Sequence, residues 1–308
     1  MDAFTYQLRQ IAQMTGMTQS AMAARLGVSF PAFNAWWLGK SSPRKGASAA
    51  VEAWHADLTG SVPPAPETLS KKAAGLVKFA KKFPDPVRVI LARPDVRDEM
   101  VLRLTYHSNS IEGSTLTEPE TAAVLFQGAA LPNRTLVEQI EAKNHQAALL
   151  RMFDAVAAGD KIDEAFVLRT HAIIMNGILP DAGDYRRRNV RIVGSGVPTA
   201  NWLKVADLMA KLAPEFSRKA ADPVAHAAKV HAEFEKIHPF ADGNGRVGRV
   251  LAHAMLLSAK LAPVVVRQER RLSYYAYLRK AQLENEFGRL TDLFYDGVAE
   301  GYGVLKGE

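Results

Sequence analysis

The sequence predicts an all-α protein with one short β-hairpin, preceded by a small domain of short helices. Three observations carry that prediction. Apolar residues recur at three- and four-residue intervals, as in LVEQIEAKNHQAALLRMFDAV from Leu136 to Val156, which places them on one stripe of a helix. In YRRRNVRIVGSGVP, Tyr185 to Pro198, Val190 and Ile192 flank a charged residue ahead of a Gly-Ser-Gly turn, the pattern of a hairpin. In GSVPPAPET, Gly60 to Thr68, three prolines oppose helix and suit an extended linker. The expected divisions are a small domain over 1–60, a linker and connecting helix over 61–98, and a main domain over 99–308.

Composition narrows the class of protein. With 308 residues, 48% of them hydrophobic, there is ample material for a core. The net charge of +7 favours anionic partners without choosing among them. The absence of cysteine excludes disulfides, thiolate metal sites and thiol nucleophiles, and suits a reducing compartment. The start MDAFTYQLRQIAQMTG lacks a cationic region followed by an apolar one, and no run is long and uncharged enough to span a bilayer. A cytoplasmic protein without a membrane partner is expected.

In MTQSAMAARLGVSFPAFNAWWLGKSSPR, Thr18 can cap a helix carrying Met22 and Leu26, Gly27 breaks it, Ser29 can cap a second and Gly39 ends that one. The pattern resembles the helix-turn-helix of phage repressors, whose second helix enters the DNA major groove. The resemblance implies base contacts from Ser29, Phe30, Asn34 and Ala35, and phosphate contacts from Lys40, Arg44 and Lys45. Against it, Phe30, Pro31 and Ala32 stand where polar base-reading side chains are expected, and the segment up to Gly60 has a cationic surplus of only two. DNA binding and a protein-interaction or dimerisation module both stay open. Beyond the linker, SKKAAGLVKFAKKF reads as a helix with Leu69, Leu76, Val77 and Ala80 on one side and a solvated lysine face.

In YHSNSIEGSTLTEPE, Gly113 can end one helix while Thr117 and Glu120 form a capping box for the next. Glu112 then sits at a helix C-terminus, where an anion opposes the macrodipole and is either solvated or offset by a cation.

The densest polar cluster is KIHPFADGNGRVGRVL, Lys236 to Leu251. As an EF-hand loop it would place Arg246 at the fifth position and His253 where the closing Glu belongs, so calcium is excluded. As a Walker A loop it lacks the Lys and the Ser or Thr. His231, Glu235 and His238 lie on roughly one helical face, but His231 and His238 are separated by about 10 Å of helical rise, too far to share one zinc ion directly. A helix-loop-helix that merely turns the chain explains the glycines but not His238, Asp242 or the two arginines. A phosphate site explains them all. Backbone N–H groups of Gly243, Asn244 and Gly245 at a helix N-terminus make an anion cradle. Arg246 and Arg249, three apart on the first turn, can clamp one polyphosphate, and Asp242 beside phosphates can hold Mg²⁺. His238 is left to act as a base near neutral pH.

HPFADGNGRVGR resembles the signature of the Fic family, His-Pro-Phe, then Asp or Glu, Gly-Asn-Gly-Arg and a second Arg three residues on. GDYRRRNV, NHQAALLRM and LSYYAYLRKAQ extend the likeness over roughly residues 100 to 300. The resemblance implies a helical Fic core with a β-hairpin flap that transfers AMP from Mg-ATP to a Ser, Thr or Tyr hydroxyl of a target protein. By position, it makes His238 the general base, Asp242 the Mg²⁺ ligand, Gly243, Asn244, Gly245, Arg246, Gly248 and Arg249 the nucleotide-binding set, and Phe240 a core anchor. A flap with Arg188, Val190, Ile192 and Val193 would clamp the target as an added strand. Here VPTANWLK replaces the proline-rich continuation of many relatives. Ser108, Glu112 and Gly113 match the family's inhibitory pattern, with Arg249 as the cation that Glu112 would occupy.

Other functions stay open: a DNA-binding regulator using the pocket as a nucleotide sensor, or removal of AMP with Glu112 activating water. The expected ligands are ATP and Mg²⁺ and the expected partner is a target protein, with DNA and a second copy of the chain left open.

Overall fold

The computed structural model describes residues 2–192 and 196–307. Its helices are α1 (Ala3–Thr15), α2 (Gln19–Arg25), α3 (Phe30–Trp37), α4 (Lys45–Thr59), α5 (Pro66–Lys82), α6 (Pro86–Ala92), α7 (Pro94–Glu112), α8 (Glu118–Gln127), α9 (Leu136–Ala158), α10 (Glu164–Ile174), α11 (Val205–Leu212), α12 (Pro223–Ile237), α13 (Asn244–Ser258), α14 (Arg271–Glu284) and α15 (Gly288–Lys306). No strand forms among the described residues. The chain thus has an all-α fold.

Local chemistry sets the ends of these helices. Thr18 and Ser29 cap α2 and α3 through their hydroxyls, and Thr117 with Glu120 and Thr135 with Glu138 form capping boxes on α8 and α9. Glu138 also reaches back, accepting from the Thr115 amide at 2.7 Å and hydroxyl at 2.8 Å. The turn after α7 is thereby tied to the start of α9.

Apolar side chains gather in two clusters. Leu8, Ile11, Met22, Phe33, Trp36, Val51 and Trp54 close a small core among α1–α4. The larger core draws on α5–α15, with Met100, Leu104, Phe153, Phe234, Phe240, Leu256 and Phe294 among its buried members. At its centre α12 and α13 pack against each other, with α7, α9 and α10 against α13 and α14 and α15 against α12. The loop between α12 and α13 therefore emerges from the best-supported part of the molecule.

Two expectations need correction. The extended linker is shorter than GSVPPAPET suggests, because Pro66 starts α5; a proline at the first helical position loses no hydrogen bond. Val77 is 52% exposed, since α5 packs through Leu76 and Phe79, the latter stacked on Tyr302 at 5.3 Å. Of the expected hairpin, Arg188 lies at a bend and Val190 and Ile192 in chain with no strand assigned, while Val193 and the turn that follows it lie outside the described residues. The two arms are joined by the Thr199 hydroxyl, which donates to Val190 O at 2.7 Å.

Candidate active site

The loop begins where α12 ends on His238, which adopts the left-handed conformation with φ 53° and ψ 63°. A non-glycine residue there is costly and persists where its surroundings fix it. Arg186 provides the fixing. It is buried to 2% exposure and donates through Nε to His238 O at 2.7 Å, through Nη2 to Ala200 O at 2.6 Å and through Nη1 to Arg188 O at 2.8 Å. Its own amide donates to Pro239 O at 3.0 Å. One guanidinium thus joins the 188–200 segment to the loop that carries His238.

The rest of the loop is held from below. Phe240 is fully buried and stacks on the His171 ring at 3.7 Å. His171 accepts from the Gly183 amide at Nδ1, 2.8 Å, which leaves the proton on Nε2 to donate to Asp242 O at 3.2 Å. Burial keeps this imidazole neutral by pulling its pKa down to about 4. Asn244 spends its side chain on Phe240, accepting from its amide at 2.9 Å and donating to its carbonyl at 3.0 Å. Expected among the nucleotide contacts, Asn244 has only its backbone amide left for that role.

Gly243 turns the chain into α13 with φ 77°, and no side chain caps the helix beyond it. Its amide donates to the Asp242 carboxylate at 2.6 Å. The following amides, at the positive end of α13, form a place for an anion. Asp242 is the one well-exposed carboxylate here, with its side chain 63% accessible. Among the described residues no cluster of three His, Cys, Asp or Glu side chains forms a metal cage. A single exposed carboxylate beside a phosphate cradle nevertheless suits Mg²⁺, which retains waters and takes oxygens from the bound phosphates.

The two arginines are buried and held by different carboxylates. Arg246 donates to Glu141 on α9 at 2.5 Å and lies 3.7 Å from Asp242. Arg249 donates through Nη2 to Glu112 at 2.7 Å and to Ser108 O at 3.0 Å, through Nε to Ser108 Oγ at 2.9 Å, and through Nη1 to Tyr274 OH at 3.5 Å. Burial pulls its pKa down, but Glu112 and Tyr274 outweigh that and hold the guanidinium charged. Gly113 ends α7 in the left-handed region, directing Glu112 at the end of the helix toward α13. Two glycines allow these approaches. A Cβ on Gly245 would lie 2.1 Å from Glu112 Oε1, and one on Gly248 would meet Glu235 and His231 of α12 at 2.8 and 3.0 Å. Gly248, expected among the nucleotide contacts, is therefore placed against α12.

His238 itself is 17% exposed at its side chain, with Nδ1 3.2 Å from Glu235 O. Burial lowers its pKa, so the imidazole is neutral near pH 7. With Nδ1–H donated to that carbonyl, Nε2 carries the free lone pair. A cleft lined by Asp181, Tyr185, Arg187, Arg188 and Ala241 runs beside the loop.

Sequence reasoning did not find Glu141, His171, Arg186 or Tyr274 as members of this constellation, while Glu235 was singled out only with His231 and His238 as a zinc candidate. Arg186 is one of three consecutive arginines, and nothing local separates it from its exposed neighbours. Glu141 lies within a helix whose period was read for its apolar face. In the amino-terminal segment the Ser29 hydroxyl caps α3, Asn34 and Ala35 are half-buried, and Phe30, Lys40, Arg44 and Lys45 are exposed.

The helical fold that carries this loop is of the Fic type. Residues 161–256 match the Fic/DOC family model. Protein adenylyltransferase Fic of Aedes aegypti is 31% identical over 189 residues, 59% of this chain and 37% of that protein. The protein of the same name from Nematostella vectensis is 32% identical over 190 residues, 57% and 42% of the two chains. The chain thus spans about two fifths of the length of these curated relatives. Among solved structures, a Fic family protein from Desulfovibrio desulfuricans G20 is 26% identical with a TM-score of 0.63, covering 79% of this chain and 76% of that one. A Fic domain containing signaling protein from Bacteroides thetaiotaomicron, 22% identical with a TM-score of 0.65 over 75% of this chain and 97% of that one, supports the fold alone.

Proposed function

We propose that the chain is a protein adenylyltransferase, transferring AMP from Mg-ATP to a Ser, Thr or Tyr hydroxyl of a target protein and held off by Glu112. The observation that carries this reading is the buried Arg249, whose guanidinium faces the anion-binding turn yet is engaged by Glu112 at 2.7 Å and by Ser108. An arginine placed for a phosphate but neutralised by a distant carboxylate is a clamp kept closed.

In the open form, amides at the start of α13 receive phosphate oxygens, and Arg246 and Arg249 pair with the outer phosphates. Asp242 would hold the Mg²⁺, which neutralises charge on the phosphates when bound. His238 Nε2 takes the proton of the target hydroxyl as its oxygen attacks the α-phosphorus, and pyrophosphate leaves. A general base of this kind contributes roughly 10²–10⁴-fold. The 188–200 segment, with Val190 and Ile192 and their carbonyls, receives the target as an added strand. The Glu112–Arg249 contact is a charged hydrogen bond of ~1.5–3 kcal/mol, enough to bias the site strongly while leaving it reversible. Divisions at 1–60, 61–98 and 99–308 are part of the same proposal.

The test is labelling with radiolabelled ATP. Glu112→Gly is expected to raise transfer and His238→Ala to abolish it; equal labelling by all three proteins rules the mechanism out. Exposed Lys40, Arg44 and Lys45 just beyond α3 support a second reading, a helix-turn-helix that carries the chain to DNA. Gel-shift titration against salt tests it, since purely non-specific binding that vanishes at modest salt counts against a regulator. If Glu112 instead activates water, product analysis finds AMP released from modified protein.

A further inference from the structure

Glu235 stands on the last turn of α12, three residues before His238, and is only 7% exposed. Its Oε2 lies 3.7 Å from His238 Nδ1, the same nitrogen that faces its backbone carbonyl at 3.2 Å. Its Oε1 is buried without a hydrogen-bond partner, and so is Nδ1 of His231 one turn earlier. Both atoms border the slot left by the missing side chain of Gly248, 2.8 and 3.0 Å from where a Cβ would stand. His231 Nε2 is 2.6 Å from Tyr274 OH, which accepts from Arg249 Nη1 at 3.5 Å. A run of polar groups therefore passes beneath α13 from the arginine held by Glu112 to the imidazole of the loop.

We propose that Glu235 is a positioning residue for His238, its side-chain oxygen 3.7 Å from Nδ1 and placed to supply the counter-charge when Nε2 gains a proton. This rests on His238 being the base of the proposed transfer. The physical need is plain: an imidazolium formed in a buried setting is costly without a neighbouring anion. Facing Glu235 are Glu112 from α7, Arg249 from α13, Tyr274 from α14, and His231 and His238 from its own helix and cap. From α15, Phe294 packs on the His231 ring at 5.7 Å. Burial, then the charge of Glu112, opposed by Arg249, push the Glu235 carboxyl up to about 8. It is thus protonated at neutral pH with Glu112 in place and ionises as the pH rises through that value. Ionised, it stabilises the imidazolium.

The experiment compares the full chain with Glu235→Gln and Glu235→Asp by NMR of the His238 ring nitrogens against pH, without nucleotide or metal. The wild-type ring is expected to report a second titration near pH 8. Glu235→Gln removes it and Glu235→Asp retains it. In the Glu112→Gly background, Glu235→Gln is expected to lower kcat about tenfold, the scale of losing a group that orients an imidazole, with KM for ATP held within about twofold. A ring titration unaltered by Glu235→Gln overturns the proposal, whether or not AMP is transferred. Conversely, absence of transfer by Glu112→Gly with the ring response intact overturns the proposed reaction and leaves the positioning role standing.

Discussion

At Gly245 the site and its block occupy the same space: a Cβ would lie 2.1 Å from Glu112 Oε1 and 3.0 Å from Arg249 Nη1. Glycine there makes room for the carboxylate of α7. Removing the carboxylate by Glu112→Gly should free Arg249 and raise transfer at least tenfold, measured as initial labelling rate; a change below twofold contradicts the clamp. Gly248→Ala has a different consequence, because its Cβ would press Glu235, His231 and Phe234 within 3.0 Å. Separating α12 from α13 should cost ~1–3 kcal/mol, read as a lowered midpoint in urea. His238, Asp242 and the arginines were legible in the sequence because a loop and one helical turn place consecutive residues around one point. Arg186, Glu141 and His171 were not, because they arrive from elements distant in the chain and their local sequence carries no sign of what they meet.

At the scale of elements, the junction of α7, α8 and α9 sets how firmly Glu112 is presented. Glu138 accepts from the backbone and hydroxyl of both Thr115 and Thr135, and Arg134 bridges Glu120 and Thr115. Glu138→Ala removes the carboxylate half of the α9 capping box and the tie to the turn after Gly113 together, while the Thr135 hydroxyl keeps the amide of residue 138. It should lower stability by ~1 kcal/mol and raise basal labelling several-fold. Lowered stability with basal labelling unchanged separates the cap from the block. Caps and helical periods were readable because each is a local rule, and Thr18, Ser29 and Thr117 act as the N-caps expected of them. The hairpin was read from alternation ahead of a Gly-Ser-Gly turn, and Val193 with most of that turn lies outside the described residues. Val77 was misplaced because its spacing fits a stripe, while tertiary packing on α15 selected Leu76 and Phe79.

At the scale of the whole molecule, the 98 amino-terminal residues contain 13 Lys and Arg against 7 Asp and Glu, nearly all of the +7 net charge. The charge belongs to the residues outside the loop, so the proposed phosphate site depends on buried arginines rather than on a general positive field. The core also encloses neutral histidines. Burial holds His171 down to about 4 and His231 and His253 to about 3, and it pulls His145 well below its ordinary value. These folded-state values lie below the unfolded value of 6.5, so the unfolded chain takes up more protons as the pH falls from 6.5 toward 3. Each such group can cost up to about 1.4 kcal/mol per pH unit in that window. Tm should therefore fall between pH 6.5 and 4.5, and a flat Tm there contradicts burial of these rings as neutral bases. The central claim, that a working transferase site is held shut by one carboxylate, is tested most directly by intact-mass spectrometry after incubation with ATP and Mg²⁺. Glu112→Gly should gain the mass of AMP on itself, wild type far less, and the Glu112→Gly, His238→Ala double variant none. No added AMP on Glu112→Gly, or equal addition to all three proteins, would contradict the account.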